Sequence, residues 1–314
     1  MIDKLQLEAV ITDDLSGKRL DQALAIVFSE HSRSRLQQWI KNGTVLVNDK
    51  VLRQRDQVHS GDRISINAEL PVESSCDPEE IPLTIIYEDE ELIVLNKPAG
   101  MVVHPGAGNR EHTLLNALLH YDPDLNRLPR AGIVQRLDKD TTGIMVVART
   151  AESHTYLVRQ LKCRKIKREY LALVTGVMTA GGEIDQPVGR HPVHRTRMAV
   201  VEKGKPAITH YRIIKKYPAH TLIRVQLETG RTHQIRVHMA YIHYPIAGDP
   251  VYCGQGKSPR GTSNLICEAV KALRRQALHA CSLGLTHRVT GESCCWDAPL
   301  PDDFQSLLQL LDNE

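Results

Sequence analysis

The 314-residue sequence predicts an α+β fold made of two domains. A small α+β domain is predicted over 1–69, and a larger domain with an extended mixed, mainly antiparallel sheet over 83–314. Short strand patterns recur along the larger domain, whereas helical periodicity is confined to a few stretches. The segment between the domains, 70–82, contains three prolines and lacks periodicity, which is typical of an extended linker.

The N-terminal domain is predicted to contain two helices followed by two short strands. Four apolar residues recur at helical spacing, which predicts an amphipathic helix over 19–28. A second helix is predicted over 33–42, because a glycine follows it in the usual C-terminal position. Short runs of β-branched and apolar residues predict strands over 44–48 and 63–66.

The charge of the chain is unevenly distributed although the net charge is only +3. Residues 18–63 contain nine Lys or Arg against five acids, whereas residues 69–91 contain nine acids and no Lys or Arg. Arg33, Arg35 and Lys41 lie on or beside the second predicted helix. Taken alone, such charges are more typical of an ordinary solvated helix face than of a binding surface.

The order and spacing of several short runs favour RNA binding by this domain. Residues 17–66 resemble the RNA-binding module first described in a small-subunit ribosomal protein. The resemblance is carried by Gly17-Lys18-Arg19-Leu20-Asp21, Ser32-Arg33-Ser34-Arg35, Ile40-Lys41-Asn42-Gly43, Val45-Leu46-Val47-Asn48 and Gly61-Asp62. It implies that guanidinium and ammonium groups of this domain neutralise phosphates of a folded RNA.

The larger domain alternates short apolar strands with turns. The predicted strands cover 85–87, 92–95, 144–148, 170–174 and 222–227, and the predicted helices cover 113–120, 153–161 and 304–311. Runs of this kind predict a mixture of sheet and helix with the helices in the minority.

Two polar clusters interrupt these elements. The loop 132–143 is dense in Arg, Asp and Thr and lies between two hydrophobic segments, a setting in which sites and solvated turns both occur. The second cluster, 228–238, is predicted to be extended, with Arg231 and His233 on the same face as Ile235. Its two histidines are five residues apart, which is not the spacing of a helical metal pair, so structural hydrogen bonding is expected of both.

The sequence indicates a cytoplasmic protein without a cofactor or metal. The seven cysteines include no C-x-x-C pair, and no dinucleotide-binding or phosphate-loop fingerprint is present. No apolar stretch approaches the roughly 18–20 residues of a membrane span, and the N-terminal residues lack the pattern of a secretory signal. We therefore expect no membrane association.

Five motifs in order identify a resemblance that covers practically the whole chain. They are Asn96-Lys97-Pro98-Ala99-Gly100 with Val103-His104-Pro105, Arg136-Leu137-Asp138 with Thr141-Thr142-Gly143, Glu169-Tyr170, Gly230–His238, and Gly248-Asp249-Pro250-Val251-Tyr252. The sequence resembles the RluA-type family of large-subunit pseudouridine synthases. This resemblance implies a catalytic domain of that family and isomerisation of several neighbouring uridines in one stem-loop of large-subunit (23S) ribosomal RNA.

The resemblance also implies roles for six residues of the larger domain. Asp138 is expected to be the catalytic carboxylate, Arg231 its ionic partner, and Tyr170 the ring that stacks on the flipped base. A tyrosine at a strand start is by itself more typical of packing. The residues expected to contact substrate are Arg136, which fills the space vacated in the RNA, and Ile235 and Ile246, which form a hydrophobic wall.

The family analogy implies a monomer that acts on ribosomal RNA of the large subunit or on its assembly intermediates, with no cofactor. One departure from the family pattern bears on activity: Gln135 stands where a histidine usually precedes the Arg-Leu-Asp triplet. Glutamine supplies hydrogen bonds but does not titrate near neutral pH. This leaves open a second hypothesis, a catalytically silent RNA-binding factor of ribosome assembly. A third, a metal-dependent hydrolase or nuclease, lacks any carboxylate–histidine spacing that supports it.

Overall fold

The computed structural model describes residues 4–28, 31, 33–69, 76–106, 109, 111–194, 196–254 and 261–314. The chain forms two compact units, Met1–Ser75 and Cys76–Glu314, each with its own hydrophobic core. Both units combine helices with β-sheet, which confirms the predicted α+β class. Among the described residues, no helix is long and apolar enough to cross a lipid bilayer.

The division between the units falls inside the predicted linker. Residues 70–75 of that linker lie outside the described residues. Its remaining residues, 76–82, belong to the second unit, where the side chain of Asn116 donates a hydrogen bond to the carbonyl of Asp77 at 2.8 Å. Ile81 packs against the core of the same unit.

The first unit packs two helices against a sheet of four described strands. Its elements are β1 (Lys4–Val10), α1 (Leu20–Val27), α2 (Arg33–Lys41), β2 (Val45–Val47), β3 (Lys50–Val51) and β4 (Arg63–Glu69). The strands are antiparallel in the order β1-β4-β2-β3. The apolar face predicted for α1 is buried against the sheet, with Leu20 and Leu24 fully enclosed. Strand β1 was not predicted, although its side chains alternate between half-buried and exposed.

The second unit is organised around one large sheet. Its strands are β5 (Thr84–Glu88), β6 (Leu92–Lys97), β7 (Thr142–Ala148), β8 (Lys167–Thr175), β9 (Gly182–Asp185), β10 (Val188–Arg190), β11 (Met198–Val200), β12 (Ile208–Lys216), β13 (His220–Leu227), β14 (Leu278–Thr286) and β15 (Ser293–Asp297). In the described part of the chain, nine strands join in the order β5-β6-β7-β14-β8-β13-β12-β9, with β15 beside β14, and β10–β11 form a separate hairpin. The pairing of β14 with β7 is parallel and the other pairings are antiparallel, so the predicted mixed, mainly antiparallel sheet is confirmed.

Helices cover the sheet and connect its strands. They are α3 (Leu114–Tyr121), α4 (Ala151–Lys162), α5 (Gln234–Tyr241), α6 (Asn264–Leu273) and α7 (Asp302–Asp312). Helices α3, α4 and α7 agree with the predicted ones, whereas the extended structure predicted over 228–238 is wrong. Strand β13 ends at Leu227, and α5 begins at Gln234. Because the residues 234–239 are all buried, α5 has no polar face from which a helical period could be recognised.

Two glycines, one at each end of the loop 132–143, allow the loop to pack directly against backbone of the sheet. Gly132 has φ +75°, and a Cβ there would lie 1.9 Å from the carbonyl oxygen of Ala148. Gly143 has φ +118°, and its Cβ would lie 2.2 Å from the carbonyl oxygen of Ala280. Only a residue without a side chain fits such backbone contacts. The residues between these glycines are therefore held against a rigid, fully buried strand, β7.

Candidate active site

Asp138 lies in the loop that precedes the buried strand β7. Asp138 begins a tight turn, in which the backbone N–H of Thr141 donates to the carbonyl of Asp138 at 3.1 Å. Its side chain is only 13% exposed. Oδ2 of Asp138 accepts a hydrogen bond from Nη1 of Arg236, on α5, at 3.0 Å. A charge-assisted bond of this kind both orients a carboxylate and offers it a positive charge.

Arg236 is shared between two carboxylates. Its Nε and Nη2 donate to Oδ2 and Oδ1 of Asp249 at 2.6 and 3.0 Å. Oδ1 of Asp249 also accepts the backbone N–H groups of Val251 and Tyr252 at 2.8 and 3.0 Å, so this carboxylate is itself fixed. Burial disfavours the charge of Arg236, but the ion pairs with Asp249 and Asp138 raise its pKa above the ordinary value.

The prediction that Arg231 pairs with Asp138 is wrong, because Arg236 occupies that position. Arg231 lies before α5, where its backbone N–H donates to Oε1 of Gln234 at 3.0 Å and its Nε donates to the carbonyl of Pro206 at 3.1 Å. The assignment of Arg231 was carried over from the family resemblance, and the extended structure expected over 228–238 gave no reason to prefer Arg236. In the structure, the helix directs Arg236 toward the loop of Asp138.

Tyr170 lies in β8. It is buried, and burial raises the pKa of its phenol, with Arg168 acting against the shift and the negative charge of Asp138 adding to it. Tyr170 is therefore within electrostatic reach of Asp138. Its phenol stays protonated near neutral pH.

The other predicted substrate contacts are distributed over the molecule. Arg136 is exposed on the same loop as Asp138, and its charge contributes to lowering the pKa of His233, so it is also close to the site. Ile235 and Ile246 are both buried in the main core of the second unit. Gln135 is half-buried.

The three basic residues predicted to bind RNA lie on α2 of the first unit. Lys41 is exposed at the end of that helix. The side chains of Arg33 and Arg35 lie outside the described residues, and the backbone places both in the first turn of α2.

A buried lysine ties the Asp138 loop to β6. The ammonium of Lys97 is fully buried and donates to the carbonyls of Pro98, Met101 and Lys139 at 2.7, 2.9 and 3.0 Å. Burial lowers the pKa of Lys97 to about 7, although the carboxylates of Asp140 and Asp138 oppose the shift. Three carbonyl acceptors require the three hydrogens of an ammonium group. Lys97 thus links the turn after β6 to the residue that follows Asp138.

The histidines of the 228–238 cluster make hydrogen bonds. His238 contacts Oγ1 of Thr209 through Nδ1 and the carbonyl of Gln186 through Nε2, at 2.9 and 3.0 Å, which agrees with the structural role expected of it. Nδ1 of His233 lies 2.8 Å from the hydroxyl of Tyr252. Among the described residues, no three His, Cys, Asp or Glu side chains are grouped so that they could hold a metal ion.

Arg236, Asp249, His233 and Tyr252 were not predicted to take part in the site. Asp249 and Tyr252 belong to the Gly248–Tyr252 motif, which was recognised without a role for either residue. A buried arginine requires a carboxylate partner. Asp249, the acid in this motif, was therefore the residue from which a role in the site could have been predicted. Its pairing with Arg236 depends on how α5 packs, which local sequence does not reveal.

Comparison with known proteins identifies the family of this chain. The RNA pseudouridylate synthase family matches residues 91–241, and the S4 domain family matches residues 18–64. The chain is 53% identical to ribosomal large subunit pseudouridine synthase D of Pseudomonas aeruginosa, over 99% of this chain and 97% of that protein. The chain belongs to the RNA pseudouridine synthase family. The synthase D of Escherichia coli K12 is 51% identical to this family member over 99% of the chain and 96% of its own length.

A solved structure extends the likeness to the fold. Human RNA pseudouridylate synthase domain containing 4 has a TM-score of 0.56 and 25% sequence identity, and the alignment covers 73% of this chain and 93% of that chain. The predicted family and fold class are therefore confirmed, and the chain is an RNA pseudouridine synthase.

The geometry of the site predicts unequal effects of two arginine substitutions. Arg236→Lys should reduce the single-turnover rate about 100-fold or more, because lysine cannot bridge Asp138 and Asp249 with a planar fork. Arg231→Lys should reduce it much less, since the side chain of Arg231 bonds to a backbone carbonyl. Rates measured on saturating RNA test this difference. A larger loss with Arg231→Lys than with Arg236→Lys would contradict the assignment.

Proposed function

We propose that this synthase converts uridines of large-subunit (23S) ribosomal RNA to pseudouridine, with Asp138 as the catalytic carboxylate and without a cofactor. Relatives named ribosomal large subunit pseudouridine synthase D match nearly the full length of the chain and support this substrate. We extend the proposal to several neighbouring uridines in one stem-loop. The observation that carries the role of Asp138 is its ion pair with the buried Arg236.

The reaction is an isomerisation that suits a lone carboxylate. The bond from the ribose anomeric carbon to N1 of uracil breaks, and a bond from the same carbon to C5 forms. C5 loses a proton and N1 gains one, so the reaction requires neither oxidant nor reductant. Two routes use Asp138: attack of an oxygen on the anomeric carbon, or removal of a ribose proton to give a glycal. In both routes the carboxylate is regenerated in the second half.

The residues around Asp138 support the steps that precede chemistry. The target base must leave its stack, which costs a few kcal/mol and least in a loop. Stacking on the ring of Tyr170 would return about 1–3 kcal/mol. Arg136, exposed on the same loop, fills the vacated position in the RNA. Ile235 and Ile246 provide the apolar wall of the base pocket.

The N-terminal unit is proposed to add affinity for RNA. The match of residues 18–64 to the S4 domain supports this role, and Arg33, Arg35 and Lys41 on α2 are the proposed phosphate contacts. We further propose that the synthase acts as a monomer in the cytoplasm, on free ribosomal RNA of the large subunit or on its assembly intermediates.

A catalytically silent assembly factor is the second candidate function, because Gln135 replaces a histidine of the family pattern. Asp138, Arg236 and Tyr170 are all present and lie in one region, which favours the active enzyme. Replacing Gln135 by His should therefore change the rate far less than removing the carboxylate of Asp138.

Asp138→Asn tests the proposed chemistry. Incubation of unmodified large-subunit RNA with the wild-type chain should create new pseudouridines, and Asp138→Asn should create none while it keeps nearly the same RNA affinity. Nucleotide-resolution mapping identifies the sites in the same experiment. Asp124→Asn is the matched control, since Asp124 is an exposed carboxylate paired with Arg127. If neither wild type nor variant modifies free or assembled RNA that it binds, the silent function is correct.

Charge reversal on α2 tests the role of the N-terminal unit. Arg33→Glu with Arg35→Glu should weaken RNA binding and reduce its dependence on salt concentration, because fewer phosphates release counterions. Arg53→Glu with Arg55→Glu makes the same charge change on exposed residues outside α2. Binding isotherms at several salt concentrations measure both. An equal loss in the two double variants would show that net charge, rather than the α2 face, is responsible.

A further inference from the structure

The two oxygens of the Asp138 carboxylate have different neighbours. Oδ2 accepts from Arg236, whereas Oδ1 is approached by Nε2 of His233 at 3.9 Å. This distance is too long for a hydrogen bond in the free protein. Catalytic hydrogen bonds are often long before substrate binds and shorten in the complex. Oδ1 is therefore the oxygen available to substrate, and His233 is the side chain beside it.

The proton on His233 can be located from its neighbours. Nδ1 of His233 lies 2.8 Å from the hydroxyl of Tyr252, which accepts a hydrogen bond from the backbone N–H of Met198 at 2.9 Å. Burial raises the pKa of Tyr252, so the hydroxyl keeps its hydrogen. Burial lowers the pKa of His233, so the ring is neutral near neutral pH and carries one N–H.

The carboxylate decides between the two tautomers of that ring. A lone pair on Nε2 would face the negative charge of Asp138 and be repelled by it. With the hydrogen on Nε2, the ring dipole is attracted to the carboxylate, and Nδ1 accepts the hydrogen of Tyr252. The Tyr252 hydroxyl then donates to Nδ1 of His233, and the Nε2–H of His233 faces Oδ1 of Asp138.

The position of His233 is enforced by the backbone. Its φ of +56° is left-handed, which costs about 1 kcal/mol for a residue with a side chain. Gln234 holds the turn, since its Oε1 accepts the N–H of Arg231 and the hydroxyl of Thr229 at 3.0 and 2.8 Å. Strain of this kind persists where the surrounding structure enforces it, and it is concentrated at functional sites.

Tyr252 contacts both partners of Asp138. Its hydroxyl bonds to His233, and its ring lies 5.1 Å from the guanidinium of Arg236, within the range of a cation–π interaction. Its backbone N–H donates to Asp249, the second carboxylate of Arg236. Tyr252 therefore contacts the donors on both sides of the catalytic carboxylate.

We propose that Tyr252 and His233 form a positioning relay that presents an Nε2–H to Oδ1 of Asp138 when RNA is bound. The inference rests on the proposed function and names two further residues that serve the same carboxylate. The relay moves no proton. Its N–H fixes the rotation of Asp138 and stabilises the carboxylate that both chemical routes regenerate.

Two substitutions of His233 distinguish the effect of its Nε2–H donor from the effect of its left-handed backbone conformation. Asparagine tolerates the left-handed conformation well but is too short to reach Oδ1, whereas glutamine places an N–H near the position of Nε2. His233→Asn should lower the single-turnover rate about 10- to 100-fold with RNA affinity unchanged, and His233→Gln should recover much of that loss. Tyr252→Phe keeps the ring against Arg236 and removes the hydroxyl, and it should also slow the reaction.

A spectroscopic measurement tests the relay without reference to activity. Two-dimensional ¹⁵N–¹H correlation of the histidine rings, assigned with His233→Asn, should show the Nε2–H tautomer in the wild-type chain. Asp138→Asn should shift the ring toward a mixture of tautomers, because it removes the charge that selects the Nε2–H form. An Nδ1–H tautomer or an imidazolium in the wild type overturns the inference, as do wild-type rates for both His233→Asn and Tyr252→Phe.

The outcomes also distinguish this inference from the proposed function. An active Asp138→Asn variant would refute the catalytic role of Asp138, whatever the tautomer of His233. Equal losses of rate in His233→Asn and His233→Gln, accompanied by lower melting temperatures, would assign His233 a purely structural role and overturn the relay. If the variants fail to fold, the tautomer of His233 in the wild-type chain still supports or overturns the inference.

Discussion

The site depends on one buried guanidinium shared by two carboxylates. Arg236 is 5% exposed and Asp249 is 3% exposed, so neither charge is stable there without the other. Removing one partner of such a buried pair costs about 3–5 kcal/mol, because the remaining charge is left uncompensated. Asp249 accepts from Nε and Nη2 of the guanidinium, so Nη1 remains free to donate to Asp138. The direction of Asp138 is thus decided by the packing of α5 and by the turn that contains Asp249.

The rest of the second unit fixes the positions of Asp138 and Arg236, the two partners of this ion pair. On the side of Asp138, Gly132 and Gly143 bring the loop into contact with backbone of the sheet, and Lys97 attaches it to the turn after β6. On the other side, α5 is buried over most of its length. A site carried by rigid elements keeps its geometry without substrate, which is the condition for electrostatic stabilisation of a reacting group.

Much of the fold was predictable because strands and helices with one buried face have visible periods. Strands β2, β4 to β8 and β13 and the helices α1 to α4 and α7 follow from such patterns, whereas β1, β3, β9 to β12, β14, β15 and α6 were not predicted. Helix α5 could not be recognised, because it is surrounded by protein, and its polar residues Gln234, Arg236 and His238 are satisfied by partners distant in sequence. Asp138 was predicted from its motif, whereas Arg231, the partner implied by the same resemblance, is replaced by Arg236 in the structure. Site pairings depend on tertiary packing, so a sequence motif indicates the participants more reliably than their contacts.

A double-mutant cycle on Arg236 and Asp249 tests most directly whether the shared guanidinium controls Asp138. Single-turnover rates are measured for wild type, Arg236→Lys, Asp249→Asn and the double variant. If Asp249 acts through Arg236, the double variant should be no slower than Arg236→Lys alone, because Asp249 then has no guanidinium left to hold toward Asp138. Independent losses that multiply in the double variant would contradict the account, since they would show that Asp249 affects catalysis by a separate path.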